Sequence, residues 1–273
     1  MSQFAPDGAL HQVEYAKVAV DNSEPAIVVL LAPTGQFAGG IALAARLNPR
    51  HPRALKLSGE GCPAERIFRI DDHVAACAAG VGPDAVTLVE VARDAAQRHR
   101  ITWGKPISLA LLCRTVANHM QAFTQRGGLR PFGVTLVLSG YDEENGFQVL
   151  SIDPAGNMKA HSAPSSAESA FSLPTVVAVG HDSEKIQSAV LAGDWQCKEG
   201  TEDSDGPLQE AHQVIRGALI GDTASNDGGN YSPHLEVATV YLEKGVSTVS
   251  LSGGGAPVAQ TTWRPAVAID GEG

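Results

Sequence analysis

At 273 residues, 43% hydrophobic and 18% charged, the chain is long enough for one large domain and apolar enough for a sizeable core. Its formal net charge of −10 argues against nucleic acid or another polyanion as partner, because phosphate contacts need a basic face. No apolar run approaches a membrane span, and the first residues lack the basic and apolar regions of a secretory signal.

The chain opens with Phe4-Ala5-Pro6-Asp7-Gly8-Ala9-Leu10-His11-Gln12-Val13-Glu14-Tyr15-Ala16. Pro6-Asp7-Gly8 predicts a turn: proline sets the first φ, aspartate bonds back to the backbone, and glycine tolerates positive φ. A helix is expected over 10–20, with Val13, Ala16 and Val20 on one face and a Glu14–Lys17 pair at i, i+3. Residues 26–32, bounded by Pro25 and Pro33, read as a fully buried strand. Thr34-Gly35 is the expected turn into a Gly/Ala-rich strand over 37–47, and 48–63 reads as a loop. A strand pair follows over 67–79 around Asp71-Asp72-His73.

Helices are expected over 83–100 and 108–126. The first has Pro83 and Asp84 at its start and Arg98 and Arg100 near its end, matching the helix dipole. The second takes Ser108 as N-cap and carries an apolar stripe of Leu109, Leu112, Val116, Met120 and Phe123. Strands at 134–139 and 147–152 lead through Asp153-Pro154-Ala155-Gly156-Asn157, a turn, to a short strand at 158–161. The Ser/Ala/Pro-rich stretch 162–174 reads as weakly structured. A strand at 176–179, helices at 181–192 and 208–219 around an acidic run, and strands at 235–242 and 246–251 complete the order. Strands, two helices, strands, two helices, strands predicts an α+β domain of antiparallel sheets covered by helix pairs. Cys62, Cys77, Cys113 and Cys197 show neither C-x-x-C nor zinc spacing and read as reduced thiols of an intracellular chain. The nine histidines are scattered without ligand spacing, so no metal or other cofactor is expected.

Residues 4–16, as Phe-x-Pro-Asp-Gly-x-Leu-x-Gln-Val-Glu-Tyr-Ala, closely resemble the N-terminal signature of α-type subunits of the 20S proteasome. Glu65-Arg66-Ile67 with Ile70-Asp71-Asp72-His73, the run Thr124-Gln125-Arg126-Gly127-Gly128-Leu129-Arg130-Pro131-Phe132-Gly133-Val134, and Asp153-Pro154-Ala155-Gly156 extend the resemblance over most of 4–251. It implies a layered sandwich of two antiparallel β-sheets flanked by helices, of the N-terminal-nucleophile hydrolase type, over 1–252; the Gly-, Pro- and Ala-rich stretch 253–273 reads as a flexible tail. The resemblance further implies a non-catalytic subunit of a seven-membered outer ring that gates substrate entry in the cytoplasm and nucleus. Other α subunits, β subunits and regulatory particles are the implied partners.

The resemblance also assigns candidate sites. Pro6, Asp7 and Tyr15 match the turn cluster of the gate. Arg66 stands where the family usually has the lysine of a pocket that receives the C-terminal carboxylate of regulatory particles, with Gly80 beside it. Arg126, Gly127 and Gly128 match the loop lining the axial entrance. The chain departs from the family in roughly ten additional residues within 48–63, in 162–174, and in lacking a C-terminal helix. Only Met1 to Ala5 precede the turn, without the family's Tyr-Asp pair. Five extended residues reach at most about 18 Å, so a small contribution to closing the gate is expected.

A threonine protease of this superfamily needs a nucleophile at a free N-terminus, whose own amine is the base, and a nearby lysine. Here the strand at Ala26 is preceded by Ser23-Glu24-Pro25, with no Thr-Thr pair and no lysine between Lys17 and Lys56. Catalysis is therefore not expected, although an active hydrolase stands as one alternative. The other is a nucleotide site at Gly80-Val81-Gly82-Pro83-Asp84-Ala85, which satisfies G-x-G-x-x-A. Against it, Asp84 would repel a pyrophosphate at the helix N-terminus, and the preceding segments read as hairpins.

Overall fold

The computed structural model describes residues 5, 6, 8, 10–33, 37, 39–47, 66–161, 174–193, 195, 206–221, 234–243 and 246–252. In chain order these form α1 (His11–Asp21), β1 (Ala26–Leu31), β2 (Gly40–Leu47), β3 (Ile67–Asp71), β4 (Val74–Gly80), α2 (Gly82–Trp103), α3 (Leu109–Gln125) and β5 (Val134–Asp142). They continue with β6 (Gly146–Ile152), β7 (Met158–His161), β8 (Thr175–Val179), α4 (Ser183–Leu191), α5 (Gly206–Gly221), β9 (His234–Glu243) and β10 (Val246–Ser252). One sheet runs β10-β9-β2-β1-β8 and the other β3-β4-β5-β6-β7, and every pairing is antiparallel.

β1 shows why its sequence lacks alternation: all six of its residues are buried, because both faces of its sheet are covered. Ala26, Val28 and Leu30 point into the layer between the sheets, with Ile41, Leu43, Cys77 and Val137. Ile27, Val29 and Leu31 point the other way, against Ile186, Val190 and Ile215 of α4 and α5. The second sheet turns Val74, Leu136 and Leu138 toward Leu88, Leu112 and Met120 of α2 and α3. The result is four layers, helix pair, sheet, sheet, helix pair. Each fully buried aliphatic side chain contributes about 1.5–3 kcal/mol, so three apolar layers supply ample driving force.

Outside this stack, α1 lies across β4 and β5 with Val13, Ala16 and Val20 inward and Tyr15 and Val18 exposed. Such a short helix is marginal alone and draws its stability from that docking.

Some boundaries differ from expectation. β2 begins at Gly40, with Phe37 an isolated bridge residue. α2 continues three residues past Arg100 and stops where Gly104 adopts φ +66°, a left-handed C-cap. Ser108 occupies the N-cap of α3 in extended geometry, but its hydroxyl makes no capping bond; its carbonyl accepts the Leu112 N–H at 3.0 Å. The Thr34-Gly35 turn, the 48–63 loop, residues 162–173, the acidic run, the tail, Asp7, Cys62 and Cys197 lie outside the described residues.

Candidate functional site

The head of β1 is where a nucleophile of this fold type would stand. α1 ends just before it, and the Ser23 hydroxyl donates to the Val20 carbonyl at 2.7 Å. The Ser23 carbonyl accepts the His181 N–H at 2.8 Å. The Glu24 carboxylate accepts Arg46 Nε at 2.6 Å, while the Glu24 carbonyl accepts Arg66 Nη1 at 3.2 Å. Gly180, at φ +96°, lets the chain pass so close that a Cβ there would lie 2.8 Å from the Glu24 oxygen. The linker between α1 and β1 is thus held from three sides, and no free amine begins the strand. Nearby Cys77 offers no substitute: burial, reinforced by the charge of Glu236, pushes its thiol up to about 12, so it stays protonated. Burial does the same to Cys113, also to about 12.

Arg66 is half-buried beside this linker, not a plain surface charge. Its backbone N–H and that of Ile67 both donate to Glu236 Oε2, at 2.8 and 3.1 Å, so a carboxylate from β9 ties the first sheet to the edge of the second. Its Nη1 reaches the carbonyls of Glu24 at 3.2 Å and Ala78 at 3.5 Å. Among the described residues no carboxylate forms an ion pair with the guanidinium. Burial pulls its pKa down, opposed by the carboxylate charges of Glu24 and Glu236. Arg66 stays a cation with N–H groups to spare, and its planar fork suits a carboxylate. It is no proton carrier, so it does not replace the missing catalytic lysine.

Gly80 follows two residues after Ala78 on β4. It sits at φ +126°, and a Cβ would lie 2.1 Å from the Gly133 carbonyl oxygen. That carbonyl accepts the Val81 N–H at 2.9 Å. Only glycine allows this approach. Asp84, in the first turn of α2, takes two parallel bonds from Arg130, Nη1 to Oδ2 at 2.6 Å and Nη2 to Oδ1 at 2.7 Å, and a third from Gly133 N at 3.0 Å. Arg130 first, then the Gly133 amide, holds the Asp84 carboxyl below its usual range, with burial opposing. The N-terminus of α2 is therefore filled by the chain's own carboxylate, and β4 has only antiparallel neighbours. A dinucleotide site does not fit here.

The Arg126-Gly127-Gly128 loop leaves α3 with the Arg126 N–H donating to the Ala122 carbonyl at 3.2 Å. All three residues are exposed, and a Cβ on either glycine would meet nothing within 4 Å. At the other end, Gly8 N donates to Ala5 O at 2.8 Å, closing the predicted turn around exposed Pro6. Tyr15 is 63% exposed and stacks on His11, ring centroids 6.3 Å apart. The structure brings Arg66 and the Gly80 strand end together through Ala78, and α1 meets the same region where Ala19 lies 3.8 Å from the position of a Gly133 Cβ. Glu236, 170 residues from Arg66, carried no signal in the sequence. Arg130 stood inside the resembling run, but nothing there pointed to Asp84, 46 residues away. Among the described residues no three His, Cys, Asp or Glu side chains gather as a metal site, and no helix is long and apolar enough to cross a membrane.

Fold and site together define a layered sandwich of the N-terminal-nucleophile hydrolase type whose nucleophile position is closed. The sequence profile of the family described as Proteasome subunit matches residues 36–205. The chain is 32% identical to proteasome subunit alpha type-4-1 of Oryza sativa subsp. japonica over 246 residues, 90% of this chain and 85% of the relative. It is 33% identical to proteasome subunit alpha type-4-A of Arabidopsis thaliana over 240 residues, 88% and 82% of the two chains. The chain belongs to the proteasome subunit family, as an α-type subunit of the 20S proteasome.

Proposed function

We propose that this chain is a non-catalytic member of the seven-membered α ring of a 20S proteasome core. There it helps template the ring, docks β subunits, and takes part in admitting substrate and receiving regulatory particles. The observation that carries this reading is the head of β1, where the Ser23 hydroxyl is turned onto Val20 O and the linker is held by Arg66 and His181. A chain built this way has no nucleophile to offer and contributes to proteolysis by architecture. Arg66 supports the activator role, since it keeps guanidinium donors free of any described carboxylate at the end of the sheets. The relatives reported above are of type 4, which makes that ring position the first to test. Action in the cytoplasm and nucleus follows the same reading.

The test is native purification of the tagged chain. A large particle containing other α and β chains by mass spectrometry is expected, with no peptidase activity from the chain alone. A monomer or small oligomer without such companions would overturn the proposal. So would turnover of a fluorogenic peptide by the isolated chain.

A further inference from the structure

We infer that Arg126 is a specificity-determining residue for substrate entry, favouring acidic unfolded segments over basic ones; this rests on the proposed reading of residues 126–128 as part of the entrance. Two arginines flank the loop, and the structure treats them differently. Arg130 spends its charge on Asp84 through two parallel bonds, with Gly133 completing the carboxylate's partners. Arg126 has its backbone N–H on Ala122 O, but its guanidinium makes no ion pair or hydrogen bond to any described residue. The exposed Gly127 and Gly128 have no atoms within 4 Å of where a Cβ would stand, so no described group packs over the tip. Gly128, at φ +83°, turns the chain back toward the anchored Arg130. The loop is therefore fixed at its base and open at its tip, presenting a cation that has no ion-pair partner among the described residues, beside half-exposed Leu129.

An extended polypeptide threading past such a tip meets the cation at close range, in a confined space where charge acts on the rate of entry. Glu- and Asp-rich segments are drawn in and Lys/Arg-rich segments are held off. Leu129 offers sequence-tolerant apolar contact that does not discriminate by charge.

The test compares two unstructured polypeptides carrying the same fluorescent reporter, one Glu-rich and one Lys-rich, degraded by the assembled particle. The acidic-to-basic rate ratio should fall about two- to fivefold on Arg126→Gln, the size of an exposed charge interaction, and further on Arg126→Glu. Raising salt to about 0.5 M should shrink the difference, because screening shortens the reach of the charge. Arg114→Gln, removing an exposed cation from the middle of α3, should leave the ratio unchanged. An unchanged ratio for both Arg126 variants in an assembled particle overturns this inference alone. Failure of the wild-type chain to enter any such particle overturns the reading beneath it as well.

Discussion

Arg130 and Asp84 meet through two parallel hydrogen bonds, 2.6 and 2.7 Å long, although 46 residues separate them. The pair joins the base of the 126–130 loop to the first turn of α2. It also delivers the Gly133 N–H to the same carboxylate at 3.0 Å, so one side chain organises a helix start, a loop and a strand start. Asp84→Asn should cost about 1.5–3 kcal/mol, the range for hydrogen bonds to a charged group, measured by urea unfolding. Arg130→Lys should recover little, because an ammonium cannot reproduce the fork. The folded carboxyl titrates below its unfolded value of about 4, so its contribution is complete above that pH and fades as pH falls through the folded pKa. Equal acid sensitivity of wild type and Asp84→Asn would refute this.

Gly80→Ala should be among the most damaging small substitutions in the chain. The added Cβ would lie 2.1 Å from the Gly133 oxygen, at a φ that alanine avoids. A loss of at least about 3 kcal/mol is expected from strain and backbone displacement together. Gly127→Ala, with nothing within 4 Å of the new atom, should stay within about 0.5 kcal/mol. Comparable unfolding midpoints for the two variants would show that the β4–β5 approach is not rigid.

His212 in α5 is held neutral by burial, which pulls its pKa down to about 4, and its Nδ1 has no partner among the described residues. The unfolded chain takes up that proton near pH 6.5, so stability from this group is complete above 6.5 and is lost as pH falls toward 4. His212→Leu should flatten the fall in urea midpoint between pH 7 and pH 5. At pH 7 it should change stability by no more than about 1 kcal/mol, since no hydrogen bond of Nδ1 is lost. A steeper acid loss in the variant would contradict the assignment.

Arg66 serves two purposes that separate by substitution. Arg66→Gln removes the charge while keeping a donor for the Glu24 and Ala78 carbonyls, so the particle should assemble but respond weakly to an activator's C-terminal carboxylate. Arg66→Glu adds a charge near Glu24 and Glu236 and should abolish the response and lower stability as well. Activator-stimulated peptide hydrolysis at wild-type level in the Gln variant would return Arg66 to a purely structural role.

Tyr15 packs little of its ring against the domain, so Tyr15→Ala should change stability by less than about 0.5 kcal/mol. Activator-dependent opening should nevertheless fall, whereas deleting Met1 to Gln3 should leave basal hydrolysis nearly unchanged. A large basal increase after that deletion would show that this segment does block the channel.

The sequence alone determined the element order and the burial of β1, because apolar runs and 3.6-residue stripes are local consequences of which faces touch the core. The 26–32 run and the stripe from Leu109 to Met120 on α3 became buried strand and buried helix face as their patterns required. The turn at Gly8 was legible for the same reason: glycine tolerates what the turn demands. The pairing of strands across long separations was not legible, and neither was the environment of any charge. The half-buried setting of Arg66 carried no local signal, because it depends on Glu24 one sheet away and on Glu236 at the far end of the chain. Asp84 read as a charge that repels phosphate, whereas tertiary structure made it the partner of Arg130. Propensity and periodicity act within a few residues, and the electrostatic setting of a side chain is decided only when distant segments close around it.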